Sequence, residues 1–98
     1  MRSPMELVFI YMDGCPACEA TKPALRVFQS KHPLIKVNYI DLLTTKWPEG
    51  SWSPEATPTL LATFMGRKPV GYVGTMSVEE IEKFVRIAAP KLGLPVPL

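Results

Sequence analysis

The sequence has no apolar run long enough to cross a bilayer. The longest near its start, Leu7 to Met12, falls far short of the roughly 20 residues that a helical span requires and of a secretory core segment. No membrane association is expected, and the expected compartment is the cytoplasm, where thiols are kept reduced. Charge of one sign is scarce as well. The 11 basic and 9 acidic residues are interspersed and leave a net charge of only +2. No stretch carries five like charges in a row, so nothing recommends a polyanion or nucleic-acid partner. Metal ligands are few: His32 is the sole imidazole, and Cys15 and Cys18 are the sole thiols. Structural zinc and iron–sulfur sites ordinarily take four ligands. No metal site is therefore expected within one chain, although one shared between two chains stays open. Repeats and low-complexity tracts are absent too.

What is present suits a single small domain, and a monomer is expected. Apolar residues make up 47% and charged residues 20% of the 98, which supports a packed core rather than disorder. One domain over residues 1–98 is expected, with a core at about 6–89 and a proline-containing tail at 90–98 that is extended and partly mobile. Glu6–Tyr11 is nearly continuous in apolar, β-branched and aromatic residues, the pattern of a strand buried on both faces. The turn Met12-Asp13-Gly14 ends it. Residues 16–30 then read as a helix with Ala17, Ala20, Ala24, Val27 and Phe28 on its buried side. Pro16 suits its first turn, Pro23 should bend it, and Lys31-His32-Pro33 ends it. Leu34–Leu42 reads as a second strand. Residues 43–56, with Pro48, Gly50 and Pro54, allow one short helix within a loop. Thr59–Met65 and Pro69–Val73, joined by Gly66-Arg67-Lys68, form an antiparallel hairpin. Ser77-Val78-Glu79-Glu80 opens the last helix with a capping box. Val78, Ile81, Phe84, Val85 and Ala88 form its stripe, and Pro90 closes it near Ala89.

The two cysteines sit three apart at the start of a helix, and that position has chemical consequences. Free N–H groups and the positive end of the helix dipole stabilise a thiolate on the first cysteine. The thiolate is the nucleophile, so lowering the thiol pKa from about 8.5 toward about 7 populates it at neutral pH. The second sulfur lies one turn on, where it can attack a mixed disulfide and release a reduced substrate. On this reasoning Cys15 attacks and Cys18 resolves. As a structural staple the pair would close too small a loop to constrain the unfolded chain much. Two inert buried cysteines are the alternative, against which stands their placement directly after a strand and turn.

The strand, Gly14-Cys15-Pro16-Ala17-Cys18 and the later Ala56-Thr57-Pro58-Thr59 together resemble thioredoxin. Pro58 matches that family's cis-proline, which faces the active-site disulfide. Pro23, five residues after Cys18, matches the proline in its active-site helix. Gly66 and Gly74 match the glycines of the last hairpin and of the segment before the final helix. The resemblance spans roughly residues 6–89. It implies an α/β thioredoxin fold with a four-stranded mixed sheet ordered 2-1-3-4 and helices on both faces, without the strand and helix that begin full-length thioredoxins. It also implies a thiol–disulfide oxidoreductase that reduces protein disulfides through Cys15 and Cys18. Its expected partners are disulfide-containing proteins and a reductase such as thioredoxin reductase. No cofactor is expected beyond the redox-active cysteine pair. Thr57, Pro58 and Gly74 would line the substrate groove, with the backbone of Thr57 pairing to an extended substrate segment. Gly14, Pro16 and Ala17 would support the pair, and Pro16-Ala17 would influence its potential.

Some residues depart from the pattern. The buried aspartate that thioredoxins carry ahead of the first cysteine corresponds to Phe9, so proton transfer to or from Cys18 must use water or another residue. Asp13 and Glu19 are near in sequence but read as exposed charges. Glutaredoxin is the competing relative, since Pro16 matches its Cys-Pro-Tyr-Cys. However, Ala17 replaces the tyrosine, and Gly74-Thr75-Met76-Ser77 lacks the paired glycines and following acidic pair that help hold glutathione. A binding module that keeps the fold without turnover is the third possibility. Trp47 and Trp52 are expected to fill core beneath a loop, Tyr11 to pack near the site, and His32 to be solvated at a helix end.

Overall fold

A computed structural model describes residues 3–44 and 56–98. The elements run β1 (Glu6–Tyr11), α1 (Pro16–Lys31), β2 (Lys36–Asp41), β3 (Thr59–Thr63), β4 (Val70–Val73) and α2 (Val78–Lys91). The sheet is ordered β2-β1-β3-β4. β1 pairs parallel to β2, with Phe9 opposite Tyr39, and antiparallel to β3, with Phe9 opposite Leu60. β3 and β4 form the antiparallel hairpin. β1 therefore sits centrally, and Phe9 and Ile10, on opposite faces of it, are both fully buried. This is the fold class that the sequence implied.

Side-chain alternation along β1 and β3 sends Met5, Leu7, Phe9, Leu60 and Ala62 to one face. There they join Leu25 and Phe28 of α1 with Ile81, Phe84, Val85 and Ala88 of α2 in one core. Both described helices thus cover the same face, where helices on both faces were expected. The short helix expected within 43–56, and both tryptophans, fall almost wholly or wholly outside the described residues.

Several boundaries and faces differ from expectation for identifiable reasons. The buried side of α1 is Cys18, Thr21, Leu25 and Phe28; Phe28 is buried as expected and Ala24 packs against the core, but the stripe is otherwise rotated away from Ala20 and Val27. Val27 is instead 49% exposed. The larger Leu25 and Phe28 fill the space above Leu7 and Phe9, and Ala20 is left outside. β3 ends at Thr63, because the turn starts earlier: the Arg67 N–H donates to the Phe64 carbonyl at 3.0 Å, with Gly66 at φ +76° inside it. Pro90 does not close α2. The helix runs to Lys91, Leu92 N–H donates back to Ala88 and Ala89, and Leu94 N–H donates to the Ala89 carbonyl at 2.9 Å. Gly93, at φ +74°, turns the chain there. Leu92 is fully buried and Leu94 packs on the core, so the tail is anchored over its first residues rather than extended from Lys91.

His32 is also not a solvated helix end. Its side chain is 18% exposed, its Nε2 donates to Glu82 Oε2 at 2.7 Å, and its ring lies 4.8 Å from that of Phe28. Lys31 Nζ reaches the same carboxylate at 3.3 Å. These contacts clamp the end of α1 to α2 and hold the Glu82 carboxyl below its ordinary range, the His32 hydrogen bond being the main cause and burial opposing it.

Candidate active site

The site forms where β1 hands the chain to α1. β1 ends at Tyr11, and Gly14 adopts φ +78°, a conformation that side chains disfavour. The chain then reverses into the first turn of α1. Cys15 is the N-cap, extended at φ −96° and ψ 105°, and Pro16 follows at the first helical position. The Cys18 N–H donates to Cys15 Sγ at 3.1 Å, so the sulfur occupies the place of a capping oxygen and receives one of the helix's free donors. Cys15 and Cys18 form a disulfide with Cα atoms 5.2 Å apart. Cys15 keeps 9% of its surface exposed and Cys18 none. Both cysteines are buried, and of the two only Cys15 retains any accessible surface.

The segment before β3 closes over this pair. The Thr57–Pro58 peptide bond is cis. Thr57 Oγ1 lies 3.7 Å from Cys15 Sγ as a hydroxyl donor, which places the residue before the proline directly on the exposed sulfur. Pro58 is buried, and its carbonyl accepts from the Gly74 N–H at 3.0 Å. Gly74 has φ +123°. Cys15, Thr57, Pro58 and Gly74 are thus brought into one neighbourhood, with Gly14, Pro16 and Ala17 beneath. Pro16 is exposed beside the disulfide and Ala17 half-buried.

Phe9 fills the position of the missing carboxylate with an aromatic ring. It is fully buried, edge-on to Tyr39 at 5.8 Å and stacked with Tyr11 at 6.3 Å. Tyr11 carries the Lys22 ammonium 4.3 Å over its ring, while Lys22 also pairs with Glu19 at 3.1 Å. Asp13 and Glu19 are exposed. Burial pushes the Tyr39 hydroxyl pKa up, with Arg26 and Lys22 opposing. Among the described residues no group of three or more His, Cys, Asp or Glu is gathered to hold a metal ion, and no helix is long and apolar enough to cross a membrane.

One residue of the neighbourhood was not signalled by the sequence. Thr21, one turn beyond Cys18, is 2% exposed. Its hydroxyl donates to the Ala17 carbonyl at 2.9 Å and accepts from the Met76 N–H at 3.3 Å. A polar residue three places after Cys18, on the buried side of α1, was the available clue.

No family model matches the chain, and no curated protein matches it by sequence. Solved structures do. A thioredoxin from Nicotiana alata superposes with a TM-score of 0.74 at 20% identity, over 86% of this chain and 72% of its own. Fasciola hepatica thioredoxin gives 0.73 at 16% identity, over 87% and 82%. Chloroplastic thioredoxin z gives 0.71 at 17% identity, over 85% and 77%. These superpositions, over four strands ordered β2-β1-β3-β4 and two helices, show that the chain has the thioredoxin fold.

Proposed function

We propose that the protein is a thiol–disulfide oxidoreductase that reduces disulfides in protein substrates. The observation that carries this function is the asymmetry of the pair: Cys15 Sγ sits at a helix N-terminus with Cys18 N–H and Thr57 Oγ1 directed at it, and Cys15 keeps 9% of its surface accessible while Cys18 keeps none. Three donors or dipoles of this kind favour the Cys15 thiolate over the thiol.

In the reduced protein the Cys15 thiolate attacks one sulfur of the substrate disulfide. A Cys15–substrate disulfide forms, and the other substrate sulfur leaves as a thiolate and takes a proton. Cys18, after losing its proton, attacks Cys15 Sγ. The Cys15–Cys18 disulfide forms and the second substrate thiolate leaves. Two electrons pass from the pair to the substrate, and the redox equivalent resides in the pair itself. With Phe9 standing where thioredoxins carry a buried aspartate, the Cys18 proton passes to water or to another residue. The substrate backbone would pair with Thr57 as an added strand, which asks little of substrate sequence. A dithiol-specific reductase returns the pair to its reduced state, and the protein works as a cytoplasmic monomer.

Turnover on insulin disulfides with a dithiol reductant tests this function. Catalysed reduction that is lost in both Cys15→Ser and Cys18→Ser is expected; inert wild-type protein would favour a binding module that retains the fold. Trapping separates the roles of the two sulfurs. Cys18→Ser should accumulate mixed disulfides with substrate proteins, whereas Cys15→Ser should not, and equal trapping would refute the asymmetry.

A further inference from the structure

Met76 lies between the Gly74 segment and the start of α2, where neither strand nor helix supplies a partner for its amide. It is 3% exposed, so an unpaired N–H there would be costly. Thr21 satisfies it across a separation of 55 residues. The hydroxyl is fixed in orientation, because its hydrogen is committed to the Ala17 carbonyl and only a lone pair faces Met76. Two residues earlier, the Gly74 N–H holds the Pro58 carbonyl. The Gly74–Met76 segment is therefore pinned at one end to the Pro58 turn and at the other to the helix that carries both cysteines.

We propose that Thr21 is a positioning residue: its hydroxyl sets the spacing between α1 and the Pro58–Gly74 wall, and so fixes the groove in which a polypeptide substrate lies against Cys15. This role rests on the oxidoreductase function proposed above. It separates two properties of the site. Attack by Cys15 on a small disulfide needs only the exposed sulfur and its donors, none of which Thr21 supplies. Docking of an extended chain along Thr57 needs the wall held at the right distance. Loss of the tether should then weaken docking and spare intrinsic reactivity.

The test compares Thr21→Val, which keeps the shape and deletes the hydroxyl, with Thr21→Ser, which keeps the hydroxyl. Thr21→Ala serves as a second deletion should the valine variant not fold. In Thr21→Val the KM for insulin should rise about three- to tenfold, the range expected for one lost neutral hydrogen bond. The rate with the small disulfide 5,5′-dithiobis(2-nitrobenzoate) should stay within about twofold, and Thr21→Ser should recover the insulin KM. In the oxidised protein, hydrogen exchange at the Met76 amide should speed up about tenfold in Thr21→Val and not in Thr21→Ser. Glu82→Gln, which loosens the opposite end of the helix pair, controls for general destabilisation and should leave the insulin KM unchanged. An unchanged insulin KM in Thr21→Val, or equal losses on both substrates, would overturn the proposal. Wild-type protein inert toward both disulfides would overturn the oxidoreductase function itself and the substrate role of Thr21 with it, while Met76 exchange still reports whether the tether exists.

Discussion

At the residue scale, the chemistry turns on what surrounds each sulfur. With Cys15 partly exposed and Cys18 fully buried, reduced protein treated with limiting iodoacetamide near pH 7 should be alkylated first at Cys15, as peptide mass mapping can read; faster labelling of Cys18 would reverse the assigned roles. The Thr57 hydroxyl, 3.7 Å from Cys15 Sγ, adds a donor that favours the thiolate. Thr57→Val should raise the Cys15 thiol pKa and slow its alkylation at pH 7 by about two- to fivefold, because a smaller fraction of the sulfur is then ionised. The pH dependence of the alkylation rate measures both. Cysteines and prolines were legible in the sequence because their chemistry is local: spacing alone places Cys15 and Cys18 on one turn. Thr57 was expected beside the pair through its backbone, but the contacts of the Thr57 and Thr21 hydroxyls were not legible, since they depend on partners that lie 42 and 55 residues away in the chain.

At the element scale, two sets of contacts in the first turns of α2 fix that helix: a capping box at its start and the clamp from Glu82 to the end of α1. Ser77 Oγ accepts from the Glu80 N–H at 3.2 Å, and Glu80 Oε1 accepts from the Ser77 N–H at 3.1 Å. This capping box was readable from four residues, because a cap is a contact between near neighbours. Ser77→Ala should cost about 1 kcal/mol and lower Tm by about 4–8 °C, as thermal unfolding followed by circular dichroism would show. The clamp to the end of α1 was not readable, since nothing in the sequence pairs His32 with Glu82. It makes stability depend on pH. The folded-state pKa of the Glu82 carboxyl lies below the unfolded one, so its contribution is complete above the ordinary carboxylate range and drains away as pH falls to the folded-state value. Glu82→Gln should therefore have a lower Tm than wild type at pH 7, and the difference should close in acid. A gap that stays constant from pH 7 to pH 3 would show that the ion pairing contributes nothing. The rotated face of α1 belongs to the same scale: Phe28 was legible as a buried residue, but the volume above Leu7 and Phe9 selects Leu25 beside it in place of Ala20 and Val27.

At the scale of the whole molecule, the backbone of the Gly74–Ser77 segment bears on which reductant would recharge the proposed cycle. Sequence alone showed only that a second glycine and an acidic pair are missing there. In the folded protein the Gly74 N–H donates to Pro58, the Met76 N–H to Thr21 and the Ser77 N–H to Glu80. A glutathione carboxylate approaching this segment would meet three amides that already have acceptors, and it would have to displace the Glu80 carboxylate, a like charge, from the N-terminus of α2. Both counts weigh against recharging through a bound tripeptide thiol, and neither bears on the proposed protein reductase, which would approach at Cys15 and Thr57. With the oxidised protein as substrate, a flavin-dependent thioredoxin reductase with NADPH should reduce the Cys15–Cys18 disulfide at least tenfold faster than millimolar glutathione, with free thiol formation as the readout. Efficient reduction by glutathione alone would instead favour the glutaredoxin-like alternative. The variant Glu80→Gln sharpens the comparison: if like-charge exclusion at α2 is what turns glutathione away, this substitution should raise the glutathione rate and leave the rate with the protein reductase unchanged.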